Sequence, residues 1–114
     1  MKITDTEIFE FHADFCKILS SSKRLMIIEL LAKEEMSVSE IAEAMDAQPS
    51  NVSQHLTVLR SRHVVDSHKE GQTVYYRLTN LKLARVCAQI RSILLDGMEK
   101  RGDKARDIIN GDTK

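Results

Sequence analysis

Two helix starts lie close together between Ser37 and Pro49, and that spacing restricts the chain more than any other feature. Ser37-Val38-Ser39-Glu40 has the form of a capping box, in which the serine hydroxyl accepts from the Glu40 amide and the Glu40 carboxylate reaches back to the Ser37 amide. Val38, Ile41, Ala42 and Met45 then repeat with helical period, giving a helix over about 37–45. Asp46-Ala47-Gln48 forms the turn. Pro49 follows at a position where a missing N–H costs nothing, because the first amides of a helix have no partner within it. The second helix runs over about 49–62. With so short a turn between them, the two helices cross and must close their apolar faces over a third element.

The remaining segments supply that element. Residues 5–19 read as an amphipathic helix with Ile8, Phe11, His12, Phe15, Cys16 and Leu19 on one face. Ser20-Ser21-Ser22 breaks the pattern and offers caps for a helix over 22–33, whose Leu25, Ile28 and Leu31 and their neighbours make it the expected central core helix. Val64–His68 and Thr73–Leu78 are β-prone, with Lys69–Gln72 between them and Gly71 free to take a positive φ, so 64–78 reads as a hairpin. A last helix over 81–99 carries Leu83, Val86, Cys87, Ile90, Leu94 and Met98 along one stripe. The tail 102–114 is charged, with Ala105–Asn110 able to add a helical turn. The 114 residues suffice for one core, and the expected architecture is one domain over 1–101. It is mainly α with a small β-hairpin, in the order α-α-α-α-β-β-α: a winged helix-turn-helix.

Its expected partner is double-stranded DNA. The net charge is zero, but it is unevenly spread: −5 over residues 1–46, +2 over 47–77 and +3 over 78–114. Phosphate contacts need local rather than global positive charge. On the helix at 49–62, Val52, Leu56 and Leu59 point to the core, while Ser50, Ser53, Gln54, Thr57 and Ser61 cluster opposite and Asn51 flanks them. No acid occurs from Ala47 to Val65. A solvent-facing helix usually carries Glu and Lys, whereas hydroxyls and amides hydrogen-bond base edges and phosphates without repulsion. The wing adds His68, Lys69, Gln72 and Arg77. No apolar run reaches membrane-spanning length and no leader pattern opens the chain, so a cytoplasmic protein is expected.

The run Ser37–Leu78, from Ser-Val-Ser-Glu-Ile-Ala-Glu-Ala-Met through Val-Ser-Gln-His-Leu to Glu-Gly-Gln-Thr-Val-Tyr-Tyr-Arg-Leu, closely resembles the ArsR/SmtB family of repressors. The resemblance implies a homodimer built from the helices at 5–19 and 81–99. That dimer would bind an inverted-repeat operator and release it when an inducer binds. It also implies DNA contacts at Ser50, Ser53, Gln54 and His55 on the recognition helix and at the Lys69–Gln72 wing tip; with Gln48 in the turn and Asn51 and Thr57 on the polar face, the expected DNA-contact set is Gln48, Ser50, Asn51, Ser53, Gln54, His55, Thr57, Lys69 and Gln72. This chain departs from the family in having His63 where Gly usually ends the recognition helix, and Gln72 where Arg often follows the wing Gly.

Many relatives bind metals through cysteines on the helix aligned with 37–45 or through Asp and His on the last helix. Neither set is present here, so no metal site and no cofactor is expected. What remains is Cys16 and Cys87, one on each expected dimerisation helix, with His12 one turn before Cys16. One reading is that they fill space, as buried thiols often do. The other is that they receive a redox or reactive-sulfur signal from a small inducer or oxidant, or hold a metalloid or soft metal. An enzyme is excluded by the lack of any phosphate loop or catalytic constellation. The rival class is a winged-helix protein–protein module without DNA binding, which an acidic or apolar recognition face would have favoured.

Overall fold

The computed structural model describes Lys2 and residues 4–101; the tail 102–114, with its expected helical turn, lies outside them. The chain divides into two compact units, Met1–Leu81 and Lys82–Lys114. The first contains α1 (Glu7–Ile18), α2 (Ser22–Lys33), β1 (Met36–Ser37), α3 (Val38–Met45), α4 (Pro49–Ser61), β2 (Val65–Glu70) and β3 (Thr73–Leu78), and the second contains α5 (Lys82–Lys100).

Local chemistry sets these boundaries. Ser21 caps α2 by accepting from the Arg24 amide at 3.3 Å. The capping box at α3 forms in both directions, with Glu40 N–H on Ser37 Oγ at 3.2 Å and Ser37 N–H on Glu40 Oε1 at 2.9 Å. α3 stops because Asp46 turns left-handed, with φ 50°. The Ala47 amide then bonds the Ala42 carbonyl at 2.9 Å and the Asp46 amide bonds that of Glu43 at 3.2 Å. Gln48 is extended (φ −72°, ψ 133°), as a residue before proline prefers, and Pro49 opens α4.

α4 ends in a Schellman motif: the amides of His63 and Val64 return to the carbonyls of Arg60 and Leu59 at 3.0 and 2.9 Å. His63 supplies the left-handed residue, with φ 61°, a conformation glycine adopts without steric cost. Thr79 fastens the base of the wing here, its hydroxyl donating to the His63 carbonyl at 2.6 Å and its amide to the Val64 carbonyl at 3.0 Å.

Two expectations for the β region need correction. β2 runs on to Glu70, so the loop is only Gly71-Gln72, with Glu70 paired to Thr73. Of the two loop residues Gly71 alone has positive φ, at 61°, the pattern of a type II′ turn. The expected hairpin is also part of a larger sheet. Among the described residues three strands are joined in the order β1-β3-β2, with Met36 opposite Tyr76 and Ser37 opposite Tyr75. A two-residue strand has no period to recognise, and Ser37 had already been read as a helix cap. It is both.

Within the first unit the core is formed by Ile27, Ile28 and Leu31 of α2, Ile41 and Ala42 of α3, Val52, Leu56 and Leu59 of α4, and Val64, Val65 and Leu78 around the sheet. α1 contributes no buried residue; Ile8, Phe9 and Phe11 are more than half exposed. α5 buries Ala84 and Cys87 and exposes Val86, Ile90, Ile93 and Leu94. Among the described residues no helix is long and apolar enough to cross a membrane.

A β-carbon at left-handed φ costs about 1 kcal/mol that glycine avoids. His63→Gly is therefore expected to raise the unfolding free energy by about 0.5–1 kcal/mol, read from the urea midpoint. Ser37→Ala, which removes a cap in its box, should lower it by about 1 kcal/mol.

Candidate nucleic-acid interface

The face of α4 opposite its core is set by the roll of the helix. Val52, Leu56 and Leu59 are at most 1% exposed, and seating them turns Ser50, Asn51, Ser53, Gln54 and Thr57 outward, all exposed. Gln48 is exposed at the N-cap, so its amide is available beside the first free N–H groups of the helix. On the wing, Lys69 near the end of β2 and Gln72 in the Gly71-Gln72 turn are both exposed. The expected DNA-contact residues thus lie on one helix face and one turn, His55 excepted.

Three expectations change in detail. Thr57 donates its hydroxyl proton to the Ser53 carbonyl at 2.9 Å, and Ser61 does the same to Val58 at 2.7 Å. Both keep lone pairs and can present only acceptors while so bonded. Of the wing cations, Arg77 is committed to Asp66 across the hairpin, Nε to Oδ1 at 2.7 Å, and that hydrogen bond raises the guanidinium's pKa. His68 is committed as well: its Nε2 meets Glu35 between α2 and β1, and its ring stacks on Tyr75 at 6.0 Å. Lys69 is the wing cation that projects at the tip.

His55 is half-buried on the flank of α4. Its Nδ1 accepts from Arg24 Nε–H at 3.2 Å, and Arg24 Nη1 also donates to the Ile18 carbonyl at 3.1 Å. Arg24 thereby ties the end of α1 to the recognition helix. Burial first, then the charges of Arg24 and Lys23, holds the His55 pKa below 6.5.

Arg60 escaped the sequence reading. It lies one turn beyond Thr57, exposed, and with Leu56, Thr57, Ser61 and Tyr76 lines a groove of about 380 Å³ between α4 and β3. In the sequence it enters only through the +2 charge of residues 47–77; its i, i+3 spacing from Thr57 is the signal that places it on the polar face.

Of the residues expected to sense a signal, His12 and Cys16 are exposed on α1 and Cys87 is buried on α5. Among the described residues no group of three or more His, Cys, Asp or Glu side chains is placed to hold a metal ion.

Because the native state lowers the His55 pKa, the unfolded chain binds more protons as pH falls through about 6.5. The stability tied to the neutral ring is complete above that value and lost below it. Urea midpoints measured at pH 7.5 and pH 6 should fall more in the natural chain than in His55→Gln.

Known proteins share this fold. A family model described as "Bacterial regulatory protein, arsR family" matches residues 21–67. The cadmium resistance transcriptional regulatory protein CadC of Listeria innocua is 46% identical over 70 residues, 60% of this chain and 59% of CadC; the match thus spans about three-fifths of that relative's length. The uncharacterized HTH-type transcriptional regulator Rv0081 of Mycobacterium tuberculosis is 30% identical over 91% of this chain and 92% of its own. Its crystal structure superimposes with a TM-score of 0.75, covering 85% of this chain and 98% of that one. The homodimeric winged helix-turn-helix DNA-binding domain of Mb0332 from Mycobacterium bovis gives 0.74 at 29% identity, covering 86% and 93%. The fold is a winged helix-turn-helix, and the chain belongs to the arsR family of bacterial regulatory proteins.

Proposed function

We propose that the protein is a homodimeric, DNA-binding transcriptional repressor whose α4 reads a major groove while the Lys69–Gln72 wing tip grips the adjacent backbone. The observation that carries this reading is the exposed face of α4, where Ser50, Asn51, Ser53, Gln54 and Thr57 stand together with no carboxylate among them. Such groups match base edges and phosphate oxygens, and Arg60 beside them supplies charge. Membership of a family of bacterial regulators, and the Mb0332 domain described as homodimeric and DNA-binding, support the same reading.

Dimerisation through α1 and α5 is supported by their open apolar faces, each with large side chains about half exposed or more. A reading head with so modest a positive charge needs a second copy to reach useful affinity, and two-fold symmetry would match an inverted-repeat operator. Signal reception is assigned to the same helices. Cys16, exposed on α1, is accessible to an oxidant or polysulfide. Oxidation there would pass electrons from the Cys16 or Cys87 thiol to the oxidant.

Fluorescence anisotropy against promoter DNA at several salt concentrations tests the repressor reading. A complex whose affinity falls with salt is expected; its absence would leave the protein–protein module as the better account. Lys69→Ala should weaken binding to all sequences alike and flatten the salt slope by about 0.9 per lost phosphate contact, so about 2 per dimer. For the signal, Cys16→Ser and Cys87→Ser should each keep DNA bound under peroxide or polysulfide that releases the natural protein. If both variants release normally, the thiols are not the receiver.

A further inference from the structure

His55 is the member of the expected DNA-contact set that an internal bond holds from outside its own helix. Arg24 Nε–H points at its Nδ1, and a ring nitrogen that accepts a hydrogen bond carries no proton. The neutral ring must therefore hold its proton on Nε2, which forms no hydrogen bond among the described residues. Arg24 is itself held on a second side, through Nη1 on the Ile18 carbonyl, so the ring meets a fixed donor. Lys23, exposed at the start of α2, acts on the same ring.

We propose that Arg24 is a positioning residue of the DNA interface: anchored on Ile18, it fixes His55 as the Nε2–H tautomer and so gives the flank of α4 an uncharged, directed donor for a backbone phosphate oxygen. The assignment rests on the DNA-binding reading above and names a contact outside the groove-reading face. It also explains why a histidine serves here. Arginine or lysine could not accept from Arg24, and an aliphatic residue could not donate to phosphate. The depressed pKa agrees, since protonation would place a second N–H against that of Arg24.

The pH profile separates this role from the alternatives. Once protonated, an imidazole donates from both nitrogens, and no tautomer needs fixing. Phosphate contacts are independent of sequence, so a mixed-sequence duplex of about 30 base pairs at about 50 mM salt serves as the probe. At pH 7.5, His55→Phe should weaken binding about tenfold, the effect of losing a hydrogen bond to a charged group, and Arg24→Met about twofold per protomer, so about fourfold per dimer, the cost of selecting one tautomer from a mixture. Combining them should add nothing to His55→Phe alone. His55→Gln, whose carbonyl can accept from Arg24 and whose amide can donate, should recover binding to within about threefold of the natural protein. As pH falls to 5.5, the Arg24→Met defect should shrink towards nothing. Nitrogen NMR of the histidine ring should show the proton on Nε2 in the natural chain and a mixture in Arg24→Met.

An Arg24→Met defect that persists at pH 5.5 and adds to that of His55→Phe would make Arg24 a direct phosphate contact and overturn the proposal. A proton found on Nδ1, or unaltered affinity in both single variants that remain folded by circular dichroism, would overturn it too while leaving DNA binding intact. If the natural protein binds no DNA even at low salt, both readings fall together.

Discussion

Everything in the reading head depends on how α4 is rolled about its own axis, and three buried side chains decide that. Val52, Leu56 and Leu59 fall on one stripe and are at most 1% exposed. Complete burial of each stabilises the fold by about 1.5–3 kcal/mol. Rolling the helix far enough to present another face would expose all three at once, a loss comparable to the whole stability of a small domain. The polar face is thus directed outward by what lies beneath it. None of its own hydrogen bonds is needed to keep it there, which leaves its side chains available to a ligand.

Several of those side chains are nonetheless restrained. Thr57 and Ser61 return their hydroxyl protons to the helix backbone, and His55 takes a bond from α2. A side chain already held in place loses less rotamer freedom on binding. The wing shows the same economy of motion: His68 is bonded to Glu35 and stacked on Tyr75, while Arg77 is paired with Asp66. Side chains that look interchangeable in a sequence are divided by the fold into those that brace the hairpin and the lysine that projects at its tip.

The elements most legible in the sequence were those governed by local chemistry. The Ser37–Glu40 box, Pro49 at a helix start and the positive φ of Gly71 each depend on a few neighbouring residues, and each is found where the sequence placed it. What could not be read depends on partners far along the chain. β1 exists because Met36 and Ser37 meet Tyr76 and Tyr75. The Arg24–His55 bond spans two helices, and neither residue's spacing announces the other. Arg60 was visible as a charge, but its neighbourhood with Tyr76 appears only when the sheet is folded beside α4.

Ser37 deserves a last consideration as a shared joint. It is the final residue of β1, paired with Tyr75 in the sheet of the wing, and also the cap from which α3 begins. Tilting the wing relative to the helices would therefore have to tear either the strand pairing or the capping box. The wing and the helix pair behave as one solid grip with no internal hinge at this point. A signal that releases DNA has little to gain by deforming such a grip. In the proposed homodimer it would act more cheaply on the spacing and angle between two whole grips, much as calipers are opened at the pivot and not by bending the jaws.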